Sequence, residues 1–265
     1  MALAWLLGTL LAATDAGPPA ACAPVDQNDL RPDASLFDPA RRQERPYYAA
    51  VWTDLAAPAG DAPVSMIVRT NYAGAPEMAV FMAKKGRSGK ARVTVRRYVD
   101  NLWYQMMIWL DRQPHGHPWP RTAEMERAFL KTSSRKVDTF TADIDDEALA
   151  AIARVWSLMI ARARVDNRRT KVIVRDGDQY AFRDGERAAS AGAGWRGSLS
   201  EQLMDLGQRL ASYPRAPALE RGPLRDRLVA AAVALLANIE RWNVCERDGG
   251  APAPEIPARP DAAVQ

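Results

Sequence analysis

The stretch ARVTVRRYV, residues 91 to 99, constrains the fold more than any other. Val93 and Val95 alternate with Arg92, Thr94 and Arg96, which is the period of a strand with one solvated face. The turn cluster KKGRSGK stands directly before it, and the apolar run EMAVFMA (77 to 83) directly before that. Two strands so closely joined make a hairpin, and hairpins make antiparallel sheets.

Two further runs read as strands: PVSMIVRT (63 to 70) and RKVDTFTAD (135 to 143). DNLWYQMMIWLDRQ sets Leu102, Met106, Trp109 and Leu110 at helical spacing after Asp100 as a cap, with a strand as the alternative. Further along, Leu149, Ile152, Trp156, Met159 and Ile160 form one helical stripe, with Asp145 placed to cap it and Ile144 to staple onto Leu149. KVIVRDGDQYAFRDG reads as two short strands turning at Asp176-Gly177, followed by a small-residue loop, ERAASAGAGWRG. Ser198 and Glu201 then make a capping box for a helix carrying Leu199, Leu203, Leu206 and Leu210. A last helix starts at Gly222-Pro223 and aligns Leu224, Leu228, Leu235, Ile239 and Trp242. Irregularly mixed strands and helices predict an α+β fold, an antiparallel sheet of hairpins packed against three to four amphipathic helices. With 48% hydrophobic residues in 265, the chain has enough apolar surface for a normal core.

The order of the second half resembles that of uncharacterised exported proteins of Gram-negative bacteria. The resemblance runs over about 145 to 213 and rests on Trp156, on Asp176, Gly177, Tyr180 and Phe182, and on Gly194, Trp195, Ser198 and Leu199. The chain departs from that pattern at Arg196-Gly197, where such loops often continue Trp-Ser-Pro. The resemblance implies export and an α+β fold, and it lends no catalytic residues.

The beginning of the chain points the same way. MALAWLLGTLLAA holds an apolar run from Ala2 to Ala13, too short to cross a bilayer, and small residues follow it at Ala16 and Ala21. Residues 1 to 21 therefore read as a signal peptide, although no Lys or Arg precedes the run. Residues 22 to 46 read as a flexible tether, 47 to 245 as a single domain, and the Pro- and Ala-rich 246 to 265 as a disordered tail. Export sets the fate of the two cysteines. Pro19-Ala20-Ala21-Cys22 partly matches the box that precedes a lipidated cysteine, with Pro19 where Leu is usual. In an oxidising compartment, Cys22 can instead pair with Cys245, and closing so long a loop stabilises by about 4 to 5 kcal/mol in the chain-entropy account. An incidental free Cys22 is the third reading.

Reactive constellations are sparse. His115 and His117 in QPHGHPWPR offer two imidazoles to copper or zinc, but two ligands do not make a selective site, and a plain Pro-rich loop explains the sequence better. Ser133 and Lys136 have a Ser-x-x-Lys spacing, yet their strand-like surroundings would point them to opposite faces. KKGRSGK lacks the first Gly and the final Ser or Thr of a phosphate loop. In DIDDE, Asp143, Asp145, Asp146 and Glu147 suit the positive end of a helix better than a Ca²⁺ loop. Lys84, Lys85, Arg87, Lys90, Arg92, Arg96 and Arg97 place seven positive charges in 14 residues with no acid among them. They read either as an anion-binding patch or as the charged edge of a sheet.

Overall charge excludes one class. A formal +4 from 36 basic and 32 acidic residues is far below the excess of a dedicated nucleic-acid binder. The expectation is an exported protein of the periplasm or outer envelope, non-catalytic and without a cofactor, acting by contact with another envelope protein as an inhibitor, immunity-like factor or assembly accessory. It would meet the membrane only through a lipid on Cys22. A hydrolase assembled from dispersed residues such as His115, His117 and a carboxylate is one alternative. A binder of an anionic partner through the 84 to 97 hairpin is the other.

Overall fold

A computed structural model describes residues 30–32, 39–70, 75–84, 90–113, 122–163, 178–185, 187–192 and 198–247. Their fold is α+β. Seven strands form one sheet in which every pairing is antiparallel: β1 (Arg31–Pro32), β2 (Val64–Arg69), β3 (Met78–Lys84), β4 (Ala91–Tyr98), β5 (Val137–Ile144), β6 (Gln179–Asp184) and β7 (Arg187–Ala191). They lie in the order β1-β7-β6-β2-β3-β4-β5.

Both faces of the sheet are covered. On one face lie α5 (Asp146–Ala161) and α6 (Leu199–Ser212), whose apolar stripes share a core with Met66, Val80, Met82, Val93 and Val95, and α7 (Arg221–Arg247) packs on these two helices. On the other face lie α2 (Pro46–Val51), α3 (Leu102–Asp111) and α4 (Ala123–Thr132), sharing a core with Ile67, Ala79, Tyr98 and Ala181, and α1 (Pro39–Glu44) packs on α2. Successive residues of β2 therefore enter two different cores, and all six are buried. An unbroken apolar run such as SMIV is what a strand covered on both sides requires.

The expected stripes hold where they can be described. Leu149, Ile152, Trp156, Met159 and Ile160 are buried, and Asp145 caps α5 by accepting from the Ala148 N–H at 2.8 Å. Ser198 caps α6 by accepting from the Glu201 N–H at 3.1 Å. The Trp156 indole donates to the Ser65 carbonyl at 3.3 Å and meets Phe182 edge to face, tying α5 to the two central strands β2 and β6.

Several expectations need correction. The span 22 to 46 is not all tether, because Leu30 is fully buried, β1 pairs with β7, and α1 forms over Pro39–Glu44. A two-residue strand and one leucine have no periodicity to read, yet the sheet edge supplies their partners. Asn101, not Asp100, caps α3, accepting from the Tyr104 N–H at 2.8 Å. The hairpin closing β6 turns at Asp184-Gly185 onto β7, where a loop was expected. Gly185 takes the positive φ of 59° that this turn demands. Asp176-Gly177, by contrast, lies outside the described residues. The described helices also exceed the expected three to four. Nor is β4 a sheet edge, since it runs between β3 and β5.

Candidate functional site

The helical layer formed by α1 to α4 is organised by two buried carboxylates. Glu77, just before β3, is fully buried, and its Oε1 accepts from the Tyr47 hydroxyl and the Trp103 N–H, each at 2.6 Å. Its Oε2 accepts from the Leu102 N–H at 2.9 Å. With Asn101 taking the Tyr104 N–H, the first three orphan amides of α3 all have acceptors. Burial pushes the Glu77 pKa upward, and the donated hydrogen bonds oppose that rise.

Glu126, on α4, does the same for α2. Its Oε2 accepts from the Tyr47 N–H at 3.0 Å, and its Oε1 takes Arg45 Nε at 2.9 Å and Nη2 at 2.6 Å. Tyr47 therefore touches both carboxylates, one through its hydroxyl and the other through its backbone. Desolvation and the nearby Glu77 raise the Tyr47 pKa well above its ordinary value, so it stays a phenol that donates.

Beside this pair lies a set of arginines on aromatic rings. Arg69 ends β2 and is only 5% exposed. Its guanidinium carbon stands 4.5 Å from the Trp103 ring centre and 5.8 Å from that of Tyr48. Arg45 stands 5.4 Å from Tyr48, while Arg42 and Arg183 lie over Trp52 at 4.1 and 5.4 Å. Arg183 also donates to the Gly60 carbonyl, and burial lowers its pKa. Arg45 has Glu126 as its acid, whereas among the described residues Arg69 has no ion pair and no side-chain hydrogen bond. Chemically, such a face can hold anions and planar apolar groups.

Elsewhere on the molecule a groove of ≈ 600 Å³ is lined by Lys90, Asp143, Asp145, Asp146, Tyr213, Arg221 and Arg225, among others. Its acids are already engaged: Asp143 by Arg92 at 2.8 Å, Asp145 by Arg225 at 2.6 Å and Asp146 by Lys84 at 3.2 Å. Arg225 holds the Asp145 carboxyl down to about 2. This groove is where DIDDE sits, and there Asp145 serves as the helix cap the sequence suggested.

The basic hairpin has a counterpart that local reading missed. Arg92 and Asp143 are register partners across β4 and β5, as are Arg97 and Asp138, whose charges approach to 3.9 Å. Arg96, opposite Thr139, donates to its hydroxyl at 3.3 Å and to the Asp54 carbonyl at 3.0 Å. The positive stripe of β4 is thus one half of a cross-strand arrangement. Lys90 is exposed beside the groove, and Lys85 and Arg87 lie outside the described residues. So do His115, His117 and Cys22, and so does the side chain of Cys245. Among the described residues no group of three His, Cys, Asp or Glu could hold a metal, and no helix is long and apolar enough to cross a membrane.

Sequence reasoning missed the arginine and aromatic face altogether. A signal was present, since Arg42, Arg45, Tyr48 and Trp52 recur at intervals of three and four. No protein-family model matches this chain, and neither a curated protein nor a solved structure does.

Proposed function

We propose that the protein works by contact with another protein of the cell envelope, and that the α1 to α3 face is its contact surface. One observation carries this reading: Arg42, Arg45, Arg69 and Arg183 lie over Tyr48, Trp52 and Trp103 on a single face. Arginine, tyrosine and tryptophan are the residues in which protein interfaces concentrate binding energy, because each joins a large flat surface to a polar group. Arginines set on aromatic rings suit a partner that presents acidic groups. The apolar start of the chain, its small-residue boundary and its likeness to exported proteins support an envelope location, as an inhibitor, immunity-like factor or assembly accessory.

A photo-crosslinking residue at Trp52, used in intact envelopes, tests this. The expected result is one dominant adduct that Arg42→Glu removes while the circular dichroism and melting temperature hold. An adduct pattern unchanged by that charge reversal would refute the reading.

A further inference from the structure

We infer that Arg69 is a carboxylate-recognition site, with Tyr48 and Trp103 as its aromatic walls. The inference rests on the reading of this face as a contact surface and names the chemical group that the surface takes.

The argument starts from the requirements of a buried arginine. Its guanidinium carries five N–H donors and a permanent charge, and enclosing them without acceptors is costly. Arg69 is 95% removed from solvent, its Nε is enclosed, and that Nε bonds to nothing. Ring contacts with Trp103 and Tyr48 offset part of the charge but offer no acceptor for the N–H groups. The local carboxylates are committed elsewhere, Glu77 to Tyr47, Leu102 and Trp103, and Glu126 to Arg45 and Tyr47. Arg69 is therefore left with its Nε donor unmet, while Glu77 and Glu126 both have partners.

The fork of a guanidinium matches a carboxylate in size and plane, and two parallel hydrogen bonds form when they meet. Flat walls suit a flat ligand. An aromatic or apolar group attached to that carboxylate would lie against Tyr48, which is half-buried and within reach from outside. The rigidity of the site comes from Glu77, which fixes both Tyr47 and the first turn of α3 that carries Trp103. A peptide can present the carboxylate at its C-terminus or on an acidic side chain.

Trp fluorescence of the full chain, titrated with N-acetylphenylalanine, N-acetylphenylalaninamide and N-acetylglutamate diamide, separates these sources. The free acid should saturate in the range of about 1 to 10 mM, at least tenfold tighter than the amide. If the side-chain source is the right one, a glutamate derivative with its α-carboxyl amidated and its γ-carboxyl free should bind where the diamide does not. Arg69→Lys should lose at least tenfold, since an ammonium keeps the charge and discards the fork. Equal response to acid and amide by the native chain, or no saturation with any carboxylate, would overturn the inference whether or not the Arg69 variants fold. Acid-selective binding with an unaltered crosslink in Arg42→Glu would sink the contact-surface reading and leave the carboxylate site standing. A charge-sensitive crosslink with no acid selectivity would do the reverse.

Discussion

The Tyr47 hydroxyl donates to Glu77 Oε1 at 2.6 Å, and through that bond α2 and α3 share one buried carboxylate. Neither helix can shift without breaking a charge-assisted hydrogen bond, and such bonds contribute about 1.5 to 3 kcal/mol each.

Glu77→Gln should therefore destabilise the protein by about 2 to 4 kcal/mol, because the amide turns an NH₂ toward donors it cannot accept. Tyr47→Phe should cost less, about 1 to 2 kcal/mol, since Trp103 still donates to the same oxygen. Urea unfolding of both variants measures this, and a smaller loss for Glu77→Gln than for Tyr47→Phe would contradict the assignment. The pH dependence has a definite sign. Burial raises the Glu77 pKa above its ordinary 4.5, so the folded state holds that proton more tightly than the unfolded state does. The contribution of the group is greatest below 4.5 and falls as pH rises through the folded value, a slope that Glu77→Gln should lack.

Asp145 should show the opposite slope. Arg225 lowers its folded pKa from 3.8 to about 2, so its stabilisation is complete above the unfolded value and lost as pH falls toward 2. Asp145→Asn keeps a competent N-cap and removes the charge. The difference in unfolding free energy between native and Asp145→Asn protein should be flat above pH 4 and shrink below it. A difference independent of pH down to 2 would remove Arg225 from the account.

Leu30 distinguishes an anchored segment from a tether. Leu30→Ala should cost about 2 to 4 kcal/mol, as truncation of an enclosed leucine does. A tether residue would cost nothing measurable, so an unchanged denaturation midpoint would free the segment from the core.

Gly207 lies in α6 where a Cβ would meet Met66 Sδ and, at 2.9 Å, Met66 Cε. Alanine would gain about 1 kcal/mol of helix propensity, but the end of the fully buried Met66 side chain would have to shift within the core to admit the Cβ. Overpacking costs about 1 to 3 kcal/mol, so Gly207→Ala should be destabilising on balance. In the Met66→Ala background the sign should reverse, and a double-mutant cycle reads that coupling directly.

Elements whose signals are local were legible in the amino-acid order. Alternation in ARVTVRRYV, the stripe from Leu149 to Ile160 and the capping residues Asp145 and Ser198 each involve neighbours a few positions apart, and the antiparallel α+β class followed from them. The short helix α2 left no such trace, because the acceptor of its first amide is Glu126, 79 positions away. The start of α3 likewise depends on Glu77, which is 25 positions from Leu102 and 26 from Trp103. Helix α4 was within reach, with Thr122 as its cap, but its inward face carries a carboxylate where periodicity looks for an apolar residue. The tertiary structure alone decided which charges meet. Arg92 and Asp143 are 51 positions apart, so a basic run that looks like a binding patch is balanced by the strand beside it. Arg69, in an apolar strand, looks like an ordinary surface charge and is instead a buried cation that makes no ion pair among the described residues. Side-chain spacing along a chain records which face a residue occupies. The partner it finds there is set by sheet register and layer packing, which bring together residues that share no local pattern.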